Sequence, residues 1–202
     1  MVHIGAPTGL SVLRGRLRGV EVSPEAVLSR LRPLLLAVHE ALAAGVAVSH
    51  QIHRQHGWQP SADPHLDRQL VRRHAMEQLR PWAASVGEQL TFDVGDSGAE
   101  SLGLPMSGLI VTTDTDVLRV WHSEDGELPP GDTRALQAYY DQSPTRQTQL
   151  VLEGAPPAGN HLALLWADRA GALSRLELVR PWWRGGRHPE ADWRVDLLRQ
   201  PA

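Results

Sequence analysis

The stretch SPEAVLSRLRPLLLAVHEALAAG, residues 23–45, carries the clearest helical pattern in the chain. Ser23 is suited to the N-cap, and Pro24 fits the first helical position because that position needs no N–H donor. Apolar residues recur every three or four positions and form one stripe: Leu28, Leu31, Leu35, Val38 and Leu42. We expect Pro33 to kink this helix and Gly45 to end or loosen it.

Two more helical segments follow before the pattern changes. A shorter piece covers about residues 46–56 and leads into the loop GWQPSADP. Asp63 then caps a second long helix, which we expect to begin at Pro64 and to end near Arg80-Pro81. Its buried face is predicted to hold Leu66, Leu70, Val71, Ala75 and Leu79.

After Trp82 the apolar residues alternate with a period of two, which is typical of strands. SGLIVTT and VLRVWHS predict one hairpin across DTD. HLALLWA and ALSRLELV predict a second hairpin that turns through residues 168–171. A short helix, DTRALQAYYDQ, lies between them and begins at an Asp132 cap.

Short connections between neighbouring strands favour antiparallel pairing. The sequence therefore predicts an α+β fold, with N-terminal helices packed on a mostly antiparallel twisted sheet of five or six strands. We expect one domain over residues 1–202. Residues 1–82 form its mainly helical part with an N-terminal extended segment, and residues 83–202 form its mainly antiparallel β part with one inserted helix.

The composition excludes several kinds of chemistry. The chain has no Cys, which excludes disulfides, thiolate metal sites and cysteine nucleophiles. All twenty basic residues are Arg, so lysine Schiff-base chemistry and the Gly-Lys-Ser/Thr phosphate loop are excluded too. No apolar run approaches roughly 18 residues, so we expect no signal peptide, no membrane partner and a cytoplasmic location. No cofactor is expected.

The charge is distributed unevenly along the chain. Residues 1–90 carry a balance of +3, residues 91–202 a balance of −6, and seven of the ten His lie in the first part. A polyanionic partner would therefore meet the first part more favourably.

The tetrapeptide Gly95-Asp96-Ser97-Gly98 spells the sequence around the nucleophile of trypsin-like serine proteases. That nucleophile needs a His base, an orienting acid and an oxyanion hole. In the trypsin-like family these groups lie in an all-β chain. Here the tetrapeptide follows about ninety mostly helical residues, and no His has the small-residue setting of that family. Because these residue types favour turns, we interpret the tetrapeptide as a turn after a strand.

His50, His53 and His56 recur in HQIHRQH, at a spacing that lets neighbouring pairs share a helix face. His50 and His53 could bind one metal ion if Asp63 or Asp67 supplied a carboxylate. This alternative predicts a metal-dependent hydrolase of phosphodiesterase or nuclease type. We favour a solvated polar helix end, and we interpret the acidic pair Asp114/Asp116 as a solvated turn.

Two arginine clusters support the leading hypothesis. Arg14, Arg16 and Arg18 alternate, so a strand would place all three guanidinium groups on one face. Arg68 and Arg72 align on a helix, with Arg73 alongside. Together these six residues predict a non-enzymatic binding or regulatory protein that contacts nucleic acid or an acidic protein partner.

The segment RPWWRGGRHPEADWR, residues 180–194, interleaves tryptophan with arginine. Aromatic residues beside Arg are typical of interfaces and of surfaces that stack single-stranded bases. Trp182, Trp183, Arg184 and Arg187 are the candidate interface residues. They predict a second contact, or alternatively a protein-interaction module or homodimer that uses this segment.

Overall fold

The structure is a computed structural model, and it describes residues 22–86, 91–94, 109–113, 115–142 and 160–199. Three helices lie in these ranges: α1 (Pro24–His56), α2 (Pro64–Val86) and α3 (Arg134–Tyr140). A short 3-10 turn, Pro60–Ala62, joins the first two. The same ranges hold six strands: β1 (Thr91–Val94), β2 (Leu109–Thr112), β3 (Asp116–His122), β4 (Asn160–Arg169), β5 (Ala172–Trp182) and β6 (Glu190–Asp196).

The strands form one sheet in sequential order, from β1 to β6. Four neighbouring pairs are antiparallel, and β3 and β4 are parallel. A parallel pair needs a crossover connection, and the segment that contains α3 supplies it. The predicted α+β fold with helices first is confirmed, and the sheet is mixed rather than purely antiparallel.

Both predicted hairpins are confirmed. β2 pairs with β3 across the expected turn, and β4 pairs with β5. The second hairpin turns tightly through Ala170 and Gly171, whose φ angles are 54° and 83°. Two consecutive positive φ angles give the turn twist that suits a two-residue hairpin, and Gly171 adopts its angle without steric cost.

Helix α1 begins where the sequence predicts and ends later. The Ser23 hydroxyl accepts a hydrogen bond from the Ala26 N–H at 3.3 Å, which confirms the N-cap. The helix is 33 residues long, runs through Pro33 and ends at the C-cap Gly57, whose φ is 67°. The expectation that Gly45 ends or loosens the helix is wrong, and the separate piece over residues 46–56 is a continuation of α1.

Gly45 has a packing role instead of a terminating one. A Cβ atom at this position would lie 2.7 Å from the backbone oxygen of Val71 in α2. The two helices therefore approach so closely that only a residue without a side chain fits between them. Contacts between Gly45 and Val71 and between Ser49 and Asp67 show that the helices run antiparallel.

Two other predicted boundaries need correction. The Asp63 carboxylate accepts from the Leu66 N–H at 2.9 Å, as expected for a cap of α2, but that helix runs through Pro81 to Val86. Proline removes one helical hydrogen bond, which the last turns of a packed helix tolerate. The N-cap of α3 is Thr133 rather than Asp132, because the Thr133 hydroxyl accepts from the Leu136 N–H at 3.2 Å.

The sheet is covered on both faces. The face toward α1 and α2 carries the larger core, to which the strands contribute Leu109, Val111, Leu118, Val120, Leu162, Leu164, Trp166, Leu176 and Leu178. The opposite face carries a smaller cluster of Leu128, Ala163, Leu165 and Val179 beside Trp121. Tyr139 and Tyr140 of α3 pack near Trp121 on that second face. Because β4 is buried on both faces, it forms the centre of the protein.

An ion pair between a partly exposed arginine and a buried carboxylate joins α1 to the start of β3. The Arg30 guanidinium donates two hydrogen bonds to the Asp116 carboxylate, at 2.9 Å and 2.8 Å. Thr115 and Asn160 donate to the same carboxylate at 2.6 Å and 3.1 Å. Asp116 is 1% exposed, so our interpretation of it as a solvated turn residue is wrong. Its partner in that interpretation, Asp114, lies outside the described residues.

Helix α1 is long and apolar enough to cross a membrane by length and composition alone. In its most apolar window, however, 44% of the residues are buried inside the protein. Core helices of folded domains pass the same test, so the absence of a membrane partner stays a prediction.

We predict that Gly45→Ala destabilises the protein by about 1–3 kcal/mol, because its Cβ would overlap the Val71 carbonyl oxygen. Helix propensity alone would instead stabilise the variant by about 1 kcal/mol. The sign of the change in the free energy of unfolding, measured in urea, therefore separates the two effects. A more stable Gly45→Ala protein would contradict the close approach of α1 and α2.

Candidate anion-binding surface

Three of the six predicted binding arginines lie on α2. Arg68 and Arg72 are half-buried, and Arg73 is exposed. The Arg72 Nε donates to the backbone oxygen of Arg68 at 3.2 Å, which fixes the guanidinium one turn from its neighbour. Arg14, Arg16 and Arg18 lie outside the described residues, so their predicted proximity to α2 stays a prediction.

These α2 arginines have weak carboxylate partners. Arg73 pairs with Glu77 on the same helix at 3.4 Å, and both side chains are exposed. Arg68 lies 3.9 Å from Glu124, whose side chain is 80% exposed. Within the described ranges Arg72 has no carboxylate partner. Exposed ion pairs contribute little, so the positive charge of this helix face is poorly neutralised.

The electrostatics of Arg72 reflect this arrangement. Burial lowers the pKa of Arg72, and the like charge of Arg68 lowers it further. A guanidinium stays charged at any physiological pH, so the two groups repel each other across one helical turn. An anion placed between them would relieve that repulsion. We call Arg68, Arg72 and Arg73 the α2 arginine surface.

The structure places His50 and His53 in different surroundings. His53 is buried, and its Nδ1 lies 2.8 Å from the Ser49 backbone oxygen, to which it donates. The Ser49 hydroxyl in turn donates to Asp67 at 2.6 Å, so these residues tie α1 to α2. The interpretation of this cluster as a solvated helix end is therefore wrong for His53.

His50 instead lies against the turn between β4 and β5. A Cβ atom added to Gly171 would meet its ring at 2.5 Å. Across the part of the chain that the structure describes, no group of three or more His, Asp or Glu side chains could hold a metal ion. The geometry thus offers the metal-dependent alternative no ligand set in those residues.

A second titratable pair lies at the carboxyl ends of the parallel strands. His122 Nε2 at the end of β3 is 3.9 Å from the Asp168 carboxylate in β4. Burial lowers the pKa of His122, and Arg68 adds to that effect. Burial and the neighbouring Asp67 raise the pKa of Asp168. The two pKa values therefore shift toward each other. Sequence patterns missed this pair because its proximity depends on the parallel pairing of β3 with β4.

The Trp-rich segment makes contacts inside the chain. The Arg184 guanidinium lies 3.9 Å from the centre of the Trp182 ring, and Arg184 also approaches Glu190 at 3.5 Å. The Trp183 indole N–H donates to the Gly186 backbone oxygen at 2.8 Å. Both indoles are half-exposed, so each keeps part of its ring accessible.

Arg187 connects the same segment to the loop before α3. Its Nε donates to Asp132 at 3.2 Å, and its backbone oxygen accepts from the Gly131 N–H at 2.7 Å. The connection between β5 and β6 is therefore held on that loop. Its predicted interface role stays a prediction.

The chain matches no protein-family model, no curated protein and no solved structure. The fold defines its class as an α+β protein with a mixed six-stranded sheet.

We predict that the free energy of unfolding falls as the pH drops from about 7.5 toward about 6. A lowered pKa of His122 in the folded state means that the unfolded chain takes up the proton first, so acid favours unfolding. The variant His122→Gln cannot take up this proton. Its free energy of unfolding, measured in urea, should therefore decrease less over the same pH interval. Equal decreases in both proteins would contradict the prediction.

Proposed function

We propose that this chain is a non-enzymatic binding protein whose α2 arginine surface contacts the phosphate backbone of a nucleic acid. The observation that carries the proposal is the poorly neutralised pair Arg68 and Arg72. The two guanidinium groups lie one turn apart, and the described residues bring no carboxylate to Arg72. Keeping like charges together costs free energy, which an anionic partner would recover.

The chemistry of arginine supports phosphate as the anion. A guanidinium is planar and presents its donors as a fork that matches two phosphate oxygens. Because its Nε is held by the Arg68 backbone oxygen, Arg72 has lost part of its rotamer freedom before any partner binds. Such preorganisation lowers the entropic cost of binding.

The surroundings of this surface are also rich in cationic and titratable residues. Residues 50–80 contain five Arg and five His but three acidic residues. A local excess of this sign attracts polyanions over a distance of about 10 Å at moderate salt. The predicted strand with Arg14, Arg16 and Arg18 would extend the surface if it adjoined α2. Trp182 and Trp183 would then supply a second contact.

The test is fluorescence anisotropy with labelled single-stranded and double-stranded oligonucleotides over a range of salt. We expect measurable affinity at about 50 mM salt that falls steeply by about 500 mM, because each phosphate contact releases counterions. Arg72→Gln should weaken binding to every sequence similarly and reduce the salt slope by about one unit.

Arg199→Gln provides the matched control. This arginine is 88% exposed, pairs with Asp196 at the far end of the chain, and loses the same charge on substitution. The affinity of the Arg199→Gln variant for oligonucleotides should stay close to that of the unsubstituted protein. Equal losses in the two variants would show that net charge, and not the α2 arginine surface, determines binding.

An acidic protein partner is the alternative for the same surface, and a parallel titration with polyglutamate separates the two. Binding to oligonucleotides that exceeds binding to polyglutamate at equal salt supports the proposal. If the protein binds polyglutamate and does not bind oligonucleotides, the partner of this surface is an acidic protein. Binding that survives about 500 mM salt unchanged would contradict both.

A further inference from the structure

An arginine outside the α2 arginine surface is buried on the sheet face opposite α1 and α2. The sequence patterns indicate no binding site there. Arg119 lies in the middle of β3, between Ile110 of β2 and Ala163 of β4. It is 3% exposed. Its guanidinium carbon lies 4.6 Å from the centre of the Tyr139 ring and 5.2 Å from that of the Trp121 ring.

Among the described residues, no negative charge compensates this buried guanidinium. Its Nη2 atom has no hydrogen-bond partner, and in the described ranges no carboxylate pairs with it. The aromatic faces of Tyr139 and Trp121 stabilise a cation by a few kcal/mol at most. Burial of an unpaired charge costs more than that, and arginine cannot avoid the cost by losing its proton.

Among the described residues, the groups around Arg119 leave its positive charge unneutralised. Arg180 is 2% exposed, and its guanidinium already pairs with Asp192 at 2.7 Å. His161 stacks on Tyr139 with ring centres 4.6 Å apart. Burial lowers the pKa of His161, and both buried arginines lower it further. Burial also raises the pKa of Tyr139, which keeps that hydroxyl neutral.

We propose that Arg119 anchors a binding site for an oxyanion, a carboxylate or phosphate group, whose oxygen accepts a hydrogen bond from Nη2. The anion would supply the negative charge that the described residues lack at this position. The rings of Tyr139 and Trp121 would hold the guanidinium in place while the ligand binds. This site lies on the opposite sheet face from α1 and α2, so it does not rest on the proposed function.

The first experiment titrates the full-length protein with phosphate and, separately, with acetate, in a buffer free of both. Sodium chloride at matched ionic strength is the control. We expect a saturable change in tryptophan fluorescence, because Trp121 contacts the guanidinium, and a rise in the thermal midpoint of several degrees at saturation. A stronger response to phosphate or to acetate identifies which group the site prefers.

The second experiment repeats these titrations on Arg119→Met, with Arg194→Gln as the matched control. Arg194 lies on strand β6, which does not pair with β3, and its guanidinium pairs with Glu177 at 2.6 Å. The saturable response should vanish in Arg119→Met and persist in Arg194→Gln. A response of equal size in Arg119→Met would mean an adventitious ion only.

If Arg119→Met fails to fold, the titration of the unsubstituted protein still decides the question. The absence of any saturable response beyond that of sodium chloride would overturn the site. If Arg119→Met folds, we expect its free energy of unfolding, measured in urea in anion-free buffer, to equal that of the unsubstituted protein. The uncompensated charge contributes no stability without its ligand.

Discussion

The carboxylate of Asp116 accepts four hydrogen bonds, and the orientation of the helices on the sheet depends on them. Two come from Arg30 of α1, one from Thr115 and one from Asn160 at the start of β4. This number matches the acceptor capacity of a carboxylate, so the buried charge is satisfied completely. One side chain thereby joins α1 and the first residues of the two parallel strands.

Further contacts along α1 and α2 are consistent with this attachment. With α1 fixed near its N-terminal end, its far end lies beside the turn between β4 and β5, where His50 meets Gly171. Helix α2 follows α1 closely because Gly45 leaves room for the Val71 backbone. Arg68 is thereby carried near Glu124 and the carboxyl end of β3.

The sequence predicted those features that depend on neighbouring residues. Ser23 and Asp63 cap their helices as expected, because an N-cap needs only a short polar side chain and a free N–H three residues later. Helix ends were less predictable. Gly45 and Pro81 usually break helices, yet Gly45 is required by a contact with a residue that is distant in sequence.

Features that depend on long-range pairing could not be predicted from patterns. The proximity of His122 to Asp168 requires that β3 and β4 run parallel in one register, which no local signal specifies. Asp116 follows residues typical of a turn, and it is buried where Arg30 of α1 and Asn160 of β4 meet it. Arg119 occupies an alternating position in a strand, where a solvated face is the usual expectation, and the placement of α3 covers it.

The measurement that tests this account most directly is a double-mutant cycle on the pair that attaches α1 to β3. Arg30→Met and Asp116→Asn are made singly and together, and the free energy of unfolding of each protein is measured in urea. Because Asp116 is buried and Arg30 is partly exposed, we predict a coupling of about 2 kcal/mol. A coupling near zero, with additive losses, would contradict the claim that this ion pair orients the helices on the sheet.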